Sequence, residues 1–113
     1  QSIHEKIMAR HSHTEGVEVF VEGRIGRPPM EQNDAARRLW EIARERGREI
    51  GLELEQAAAG GGSDGNTTSQ YTPTLDGMGA VGSGAHAHHE HIELDKMAGR
   101  TALLTLLLME APL

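Results

Sequence analysis

Cysteine is absent from the 113-residue chain, and aromatic residues are scarce. The absence of cysteine excludes disulfides and thiolate metal sites, so a bound metal would have to be held by histidine, aspartate or glutamate. With one Trp, one Tyr and one Phe, any core is expected to be built from Leu, Ile, Val, Ala and Met. A hydrophobic content of 37% with 25% charged residues favours one modest folded domain over disorder.

The chain also lacks a basic stripe, a long hydrophobic run and a recognisable signal peptide. Its formal net charge is −6, and the arginines of residues 37–48 are interleaved with glutamates, as on a solvated helix face. We therefore expect no nucleic-acid partner. The longest apolar run, residues 102–109, is far shorter than the ~20 residues of a membrane span. We expect no membrane association, and the cytoplasm as the default location.

A proline-containing connector divides the chain into two parts. Residues 3–12 begin with apolar residues at helical spacing, and residues 17–23 alternate like a half-buried strand of an antiparallel sheet. The connector, residues 26–31, contains two prolines, which neither a helix nor a central strand tolerates. The sequence therefore predicts a domain boundary there, with a helix and a strand in residues 1–25 and a second unit in residues 26–113.

The second unit shows the alternation of helices and strands that is typical of a parallel α/β sheet. Two parallel strands do not form a stable sheet, and the last predicted helix is apolar nearly all round. We therefore expect the rest of the sheet to lie upstream, in polypeptide outside this chain. The predicted elements are a helix from Asn33 or Asp34 to about residue 49, strands over 51–59 and 72–79, and a helix over about 96–110 that Asp95 caps and Pro112 ends.

A glycine-rich loop, residues 60–66, follows the first predicted strand of the second unit and opens a short helix. Its three successive glycines allow backbone N–H groups to approach a ligand closely, and a helix N-terminus favours an anion. The loop has neither the Gly-Lys-Ser/Thr of a phosphate-binding loop nor the glycine spacing of a dinucleotide site. A carboxylate is a plausible ligand, and a flexible turn with Ser63 or Asp64 as an N-cap is the alternative.

Arg27 is a second candidate for carboxylate binding. It precedes Pro28 and Pro29, and a guanidinium on a stiff segment is suited to a two-point contact with a carboxylate. A surface arginine paired with Glu31 is the alternative.

Four of the seven histidines lie in residues 86–91. His86 follows the sequence GSGA, so little surrounds its imidazole, which is a good zinc ligand through one nitrogen. The sequence pattern at His88, His89 and His91 is more typical of a solvent-exposed loop. The alternative for the whole segment is a solvated loop with adventitious metal affinity.

Four segments, taken in order, resemble a known family. RPPME, GGGSDGN, TPTLDGMGAVGSGAH and EHIELDKM are similar in order and spacing to the C-terminal part of the zinc-dependent exopeptidases and deacylases. This family includes the glutamate carboxypeptidases, the aminoacylases, acetylornithine deacetylase and succinyl-diaminopimelate desuccinylase. The likeness runs from about residue 16 to residue 110.

The resemblance implies a fold in two parts. Residues 1–25 would be the last helix and strand of a ferredoxin-like α+β lid domain, which often forms a homodimer. Residues 26–113 would be the C-terminal part of a phosphorylase/hydrolase-like catalytic α/β domain. The rest of the catalytic domain would then be an obligate partner of this chain.

The resemblance also assigns roles to residues. His86 matches a metal ligand of a site that holds two zinc ions, with cobalt or manganese as alternatives. Arg27 and the glycines of the loop match positions that hold the substrate carboxylate, and Asn66 lies in the same motif. Ala59 stands where some carboxypeptidases have a hydroxyl residue. The substrate-binding set is Arg27, Gly60, Gly61, Gly62 and Asn66.

No catalytic residue is expected in this chain, because the general-base Glu and the bridging Asp of the family lie upstream. The sequence therefore predicts a fragment, inactive alone, of a metallohydrolase that cleaves the amide bond of an N-acyl amino acid or a C-terminal residue. The alternative is a non-catalytic interaction or metal-binding fragment that uses its histidine-rich loop.

Overall fold

The structure, a computed structural model, describes residues 2–110. Their regular secondary structure is mainly helical, with little strand. The two strands form one antiparallel pair, in which Gly82 faces Ile92 and Ser83 faces His91. The elements are α1 (Ile3–Met8), α2 (Asp34–Glu49), α3 (Gly65–Thr68), β1 (Gly82–Ser83), β2 (His91–Ile92) and α4 (Leu94–Leu108).

Side-chain caps set the starts of the first two helices. The Ser2 hydroxyl accepts a hydrogen bond from the backbone N–H of Glu5, and the Glu5 carboxylate accepts one from the backbone N–H of Ser2. At α2, Asn33 Oδ1 accepts a hydrogen bond from the backbone N–H of Ala36 at 2.8 Å. The predicted start of the second helix at Asn33 is therefore confirmed.

The start predicted for the last helix was wrong by two residues. The helix begins at Leu94 with Glu93 at the N-cap position, and no side chain caps it. Asp95 lies in the first turn instead, where its negative charge is favourable near the positive end of the helix dipole. The predicted stop at Pro112 lies outside the described residues.

The three predicted strands, over 17–23, 51–59 and 72–79, were also wrong. In residues 2–110 these segments have no regular strand structure, because a strand requires a neighbour that accepts and donates its ladder hydrogen bonds. Within that part of the chain, the pairing of β1 with β2 is the only ladder. Consequently the parallel α/β sheet expected from the sequence is not formed by these residues.

The core lies where α2 packs against α4. Ala43 and Gly47 on α2 and Leu103 on α4 are buried. The chain turns back after α2, so that a Cβ added at Gly47 would lie 3.0 Å from Leu54 Cγ. Leu52 covers α4 in the same way, at Gly99. The face of α2 that carries Ala43 and Gly47 therefore forms part of the core.

Arg46 joins the two helices at their C-terminal ends. Its guanidinium donates hydrogen bonds to the carboxylates of Glu110 and Glu49. These contacts, with the hydrogen bond to Glu110 as the largest cause, raise the pKa of Arg46 above its usual value. The ion pair fixes the register of α2 against the end of α4.

Much of the apolar surface of α4 is exposed. Leu103 is fully buried, whereas Leu104 is 43% and Leu108 is 78% exposed. The accessible surface of the chain is 9350 Å², compared with about 6,100 Å² expected for a compact monomer of this mass. The sequence-based expectation of a helix that is apolar nearly all round agrees with this exposure. Among residues 2–110, no helix combines the length and the hydropathy needed to cross a membrane.

Candidate functional site

A cleft of about 650 Å³ lies between the proline connector and the glycine loop. The lining of the cleft includes the apolar residues Met30 and Trp40 and the acidic residues Glu31 and Glu55. The five residues predicted to bind substrate all line this one cleft: Arg27, Gly60, Gly61, Gly62 and Asn66. The fold thus brings together residues that are up to 39 positions apart in the sequence (27 to 66).

Hydrogen bonds from α3 and the turn after it hold the connector in place. The Asn66 side-chain amide donates to the Pro28 carbonyl at 2.9 Å, and the Gln70 amide donates to the Pro29 carbonyl at 3.4 Å. The oxygen of the Asn66 amide accepts a hydrogen bond from the Ser63 backbone N–H at 2.8 Å. Asn66 therefore shapes the loop and anchors the connector, in addition to lining the cleft.

The Arg27 guanidinium lies beside the glycine loop. A Cβ added at Gly62 would lie 3.6 Å from Arg27 Cδ and 3.8 Å from its Nη1. Its Nη2 is 3.5 Å from Asp64 Oδ1, and the two side chains are 51% and 98% exposed. The acidic neighbour of Arg27 is thus Asp64 and not Glu31. The guanidinium keeps much of its surface available to an anion in the cleft.

Ser63 and Asp76 form a link that sequence reasoning missed. The Ser63 hydroxyl donates a hydrogen bond to Asp76 Oδ2 and accepts one from the backbone N–H of Gly65 at 2.9 Å. The backbone N–H of Gly77 donates to Asp76 Oδ1 at 2.8 Å. These hydrogen bonds, first that from Ser63 and then that from Gly77, lower the pKa of Asp76. No spacing rule relates a serine to an aspartate 13 residues later in a loop, so the sequence carried no signal for the pair.

His86 lies outside the cleft, in the turn between β1 and β2. Its backbone φ of 67° is in the left-handed region, and its backbone N–H donates to the Glu90 carboxylate at 3.3 Å. The hairpin closes tightly beneath it, since the Ala87 N–H donates to the Gly84 carbonyl at 2.8 Å. The exposed imidazole is therefore carried by a hydrogen-bonded turn.

Two of the neighbouring histidines take part in the hairpin itself. His91 Nδ1 lies 3.0 Å from the His89 carbonyl oxygen, and its Nε2 lies 3.5 Å from the Ser83 hydroxyl. His89 packs over Gly84, where an added Cβ would lie 2.7 Å from the histidine ring. The His89 and His91 side chains therefore contribute to the shape of the turn that carries His86.

The described residues do not form a complete metal site by themselves. In the part of the chain that the structure describes, no group of three or more His, Cys, Asp or Glu side chains could hold a metal ion. A catalytic zinc needs three protein ligands and an open position. The exposed imidazole of His86 could supply one of the three.

The sequence was compared with known proteins. A family model described as peptidase family M20/M25/M40 matches residues 5–110. No curated protein and no solved structure matches the chain. Members of this family are peptidases and hydrolases that generally bind zinc or other divalent metals. The match spans nearly the whole chain, and the chain therefore belongs to peptidase family M20/M25/M40.

Proposed function

We propose that this chain is the carboxylate-binding part of a dizinc metallohydrolase that releases an amino acid with a free carboxylate from an amide. The substrate is an N-acyl amino acid or the C-terminal residue of a small peptide. The observation that carries the proposal is the placement of the Arg27 guanidinium beside Gly62 in one cleft, in a member of a peptidase family.

Arg27 binds the substrate carboxylate in this proposal. A guanidinium presents two parallel N–H groups that match the two oxygens of a carboxylate. Backbone N–H groups of Gly60, Gly61 and Gly62 can approach the same carboxylate closely, because no Cβ intervenes. Binding of a free carboxylate at this end of the cleft restricts cleavage to the terminal amide.

His86 contributes one imidazole to the metal centre, and the other ligands and the general base lie on polypeptide outside this chain. When bound, the metal supplies a Lewis acid for the amide carbonyl and lowers the pKa of a coordinated water. Glu90 holds the backbone of the turn through its contact with the His86 N–H. The hairpin thereby fixes where the imidazole stands before any metal binds.

The lid assignment of residues 1–25 belongs to the same proposal. Val17 and Val19 belong to the alternating apolar set of residues 17–23 and are 52% and 46% exposed. Alternating apolar residues with no strand partner among residues 2–110 suit a strand of a sheet completed by other polypeptide. We propose that this sheet belongs to a lid domain that pairs with a second copy.

The test uses the full-length, zinc-loaded protein and a panel of N-acetyl amino acids, each compared with its carboxamide. We expect hydrolysis of the free acids and little hydrolysis of the carboxamides. Arg27→Ala should raise KM for the acids by about ten- to a hundredfold, as expected for the loss of a two-point charge-assisted contact, and Arg27→Lys should recover only part of this loss. His86→Ala should lower the zinc content, measured by atomic absorption. Equal cleavage of acids and carboxamides, or an unchanged KM in Arg27→Ala, would overturn the proposal.

A further inference from the structure

We propose that Asp76 is a positioning residue for the carboxylate cleft, acting through Ser63 to fix the glycine loop opposite Arg27. This inference rests on the proposed function, since it concerns how the same cleft binds its anion. It assigns a role to a residue that the sequence motifs left without one.

The first step of the argument is the contact between two loops. Ser63 directly follows the three glycines and donates its hydroxyl hydrogen to Asp76 Oδ2. The same hydroxyl accepts a hydrogen bond from the Gly65 N–H at 2.9 Å. The Ser63 hydroxyl thus both donates and accepts a hydrogen bond, and these bonds fix the loop at the point where it enters α3.

The second step is that Asp76 is itself held. The Gly77 N–H donates to Asp76 Oδ1 at 2.8 Å. From α4, Arg100 donates to the Gly79 carbonyl at 3.0 Å and to the Gly77 carbonyl. These hydrogen bonds therefore tie the turn that carries Asp76 to α4, which packs in the core. The glycine loop is connected to α4 through Ser63 and Asp76.

The third step is that Asp76 is unsuited to touch the substrate. It lines the cleft, where an ionised carboxylate would repel the carboxylate of a ligand. Its two oxygens already accept hydrogen bonds from Ser63 and Gly77, and these bonds also keep its pKa low. The position of Asp76 therefore favours an effect on the loop over an effect on the ligand.

The charge of Asp76 and its link to Ser63 predict opposite effects on substrate binding. Loss of a repulsive charge would lower KM for a carboxylate substrate, whereas loss of the link would raise it. Flexible glycines that are not held must be ordered when the ligand binds, at a cost in conformational entropy. We infer that the link dominates, because three glycines in succession have no side chains of their own to hold them.

The experiment compares Ser63→Ala, Asp76→Ala and the double variant in the full-length, zinc-loaded protein. For the N-acetyl amino acid that it cleaves best, each single variant should raise KM about tenfold with a small change in kcat, consistent with the loss of one charge-assisted hydrogen bond. The double variant should be no worse than either single variant, because both remove the same contact. Ser63→Thr keeps the hydroxyl and should keep KM near that of the unmodified protein.

Hydrogen–deuterium exchange of residues 60–66 provides a readout that does not depend on turnover. Exchange should be faster in Ser63→Ala and Asp76→Ala than in the unmodified protein. Glu45→Gln, which removes an exposed carboxylate from α2, is the matched control for loss of charge and should change neither exchange nor KM.

The outcomes separate this inference from the proposed function. A raised KM in Arg27→Ala, with normal exchange and normal or lowered KM in the two single variants, would overturn the positioning role alone. A normal KM in Arg27→Ala would overturn the proposed function, whatever the exchange data show. Equal loss of thermal stability and of kcat in Ser63→Ala, Asp76→Ala and the double variant would show that the link only stabilises the fold. That result would also overturn the positioning role.

Discussion

Asp64 places a carboxylate of the protein itself next to the Arg27 guanidinium. The distance between Asp64 Oδ1 and Arg27 Nη2 is 3.5 Å, and the Asp64 side chain is almost fully exposed. The Asp64 side chain makes no capping hydrogen bond to α3, so its removal should leave the loop intact. Under the proposed function, Asp64 competes with the substrate carboxylate for the Arg27 guanidinium.

Asp64→Asn should strengthen carboxylate binding. Surface ion pairs contribute about 0–1 kcal/mol, so KM for an N-acetyl amino acid should fall by about two- to fivefold in the full-length enzyme, as measured by steady-state kinetics. The effect should shrink at high salt, because exposed pairs are screened. Asp64→Glu serves as the control with charge retained. A higher KM in Asp64→Asn would show that Asp64 supports the cleft and does not compete for it.

Asp76 should make stability depend on pH in the acidic range. Its folded-state pKa is lower than the ordinary value of 3.8 because the Ser63 hydroxyl and the Gly77 N–H bind the ionised form. The stabilisation is therefore fully present above the ordinary pKa and is lost as pH falls through the lowered folded-state pKa. The melting temperature of the full-length protein should exceed that of Asp76→Asn at pH 6, and the difference should shrink below about pH 4. A difference that stays constant down to pH 2 would contradict this assignment.

At the scale of elements, two helical glycines face the same turn and differ in the space around them. A Cβ at Gly47 would lie 3.0 Å from Leu54 Cγ and 3.1 Å from the Leu52 carbonyl oxygen. A Cβ at Gly99 would meet Leu52 Cδ2 at 3.4 Å, which is ordinary contact. The two positions form a matched pair for testing the packing of α2 against α4.

Gly99→Ala should stabilise the full-length protein by about 0.5–1 kcal/mol, because alanine is the better helix former. Gly47→Ala gains the same propensity but crowds Leu54 and a backbone oxygen, at a cost of about 1–3 kcal/mol. We therefore expect a lower free energy of unfolding in urea for Gly47→Ala. The reverse order of the two variants would show that the turn after α2 does not pack as described.

The helices could be predicted from the sequence, and the strands could not. A local signal defines the start of α2, because the Asn33 side chain caps it. A strand depends on a neighbour, and the alternation in residues 17–23 shows a half-buried face without showing what covers it. The short hairpin of β1 and β2 was missed because its glycines and histidines have low strand propensity. A close backbone approach selects glycine at position 82, where an added Cβ would overlap the His91 carbonyl oxygen.

The sequence predicted several residues of the cleft but not the contacts that hold them together. Arg27, the three glycines and Asn66 were identified from motifs, and the structure brings them together around one cavity. Contacts between side chains far apart in the sequence could not be predicted. These include the hydrogen bond between Ser63 and Asp76 and the hydrogen bond from Arg100 to the turn after Asp76. Such pairs follow no fixed spacing and depend on how loops pack.

At the scale of the whole molecule, the described chain is more extended than a self-contained domain. Its radius of gyration is 19.9 Å, compared with about 13 Å for a compact domain of this length. Apolar side chains such as Phe20 and Leu108 are exposed. Large exposed apolar patches mark interaction surfaces or a risk of aggregation.

The isolated chain should therefore self-associate and unfold with low cooperativity. We expect a concentration-dependent mass in sedimentation equilibrium and a broad thermal transition. Replacing Leu104 and Leu108 together by Gln should reduce the association, because both side chains lie on the exposed side of α4. Leu103→Ala, at the buried position, should instead cost about 2–5 kcal/mol of any cooperative stability. A monodisperse monomer with a sharp transition would contradict this expectation.

The left-handed backbone at His86 favours residues that differ from those a metal site requires. Glycine adopts this region at no steric cost, and asparagine and aspartate enter it more readily than most residues. None of the three offers an imidazole. A library of replacements at position 86 sorted only for expression would therefore enrich glycine. Under the proposed role of His86, the same library in the full-length protein, sorted for bound zinc, would enrich histidine.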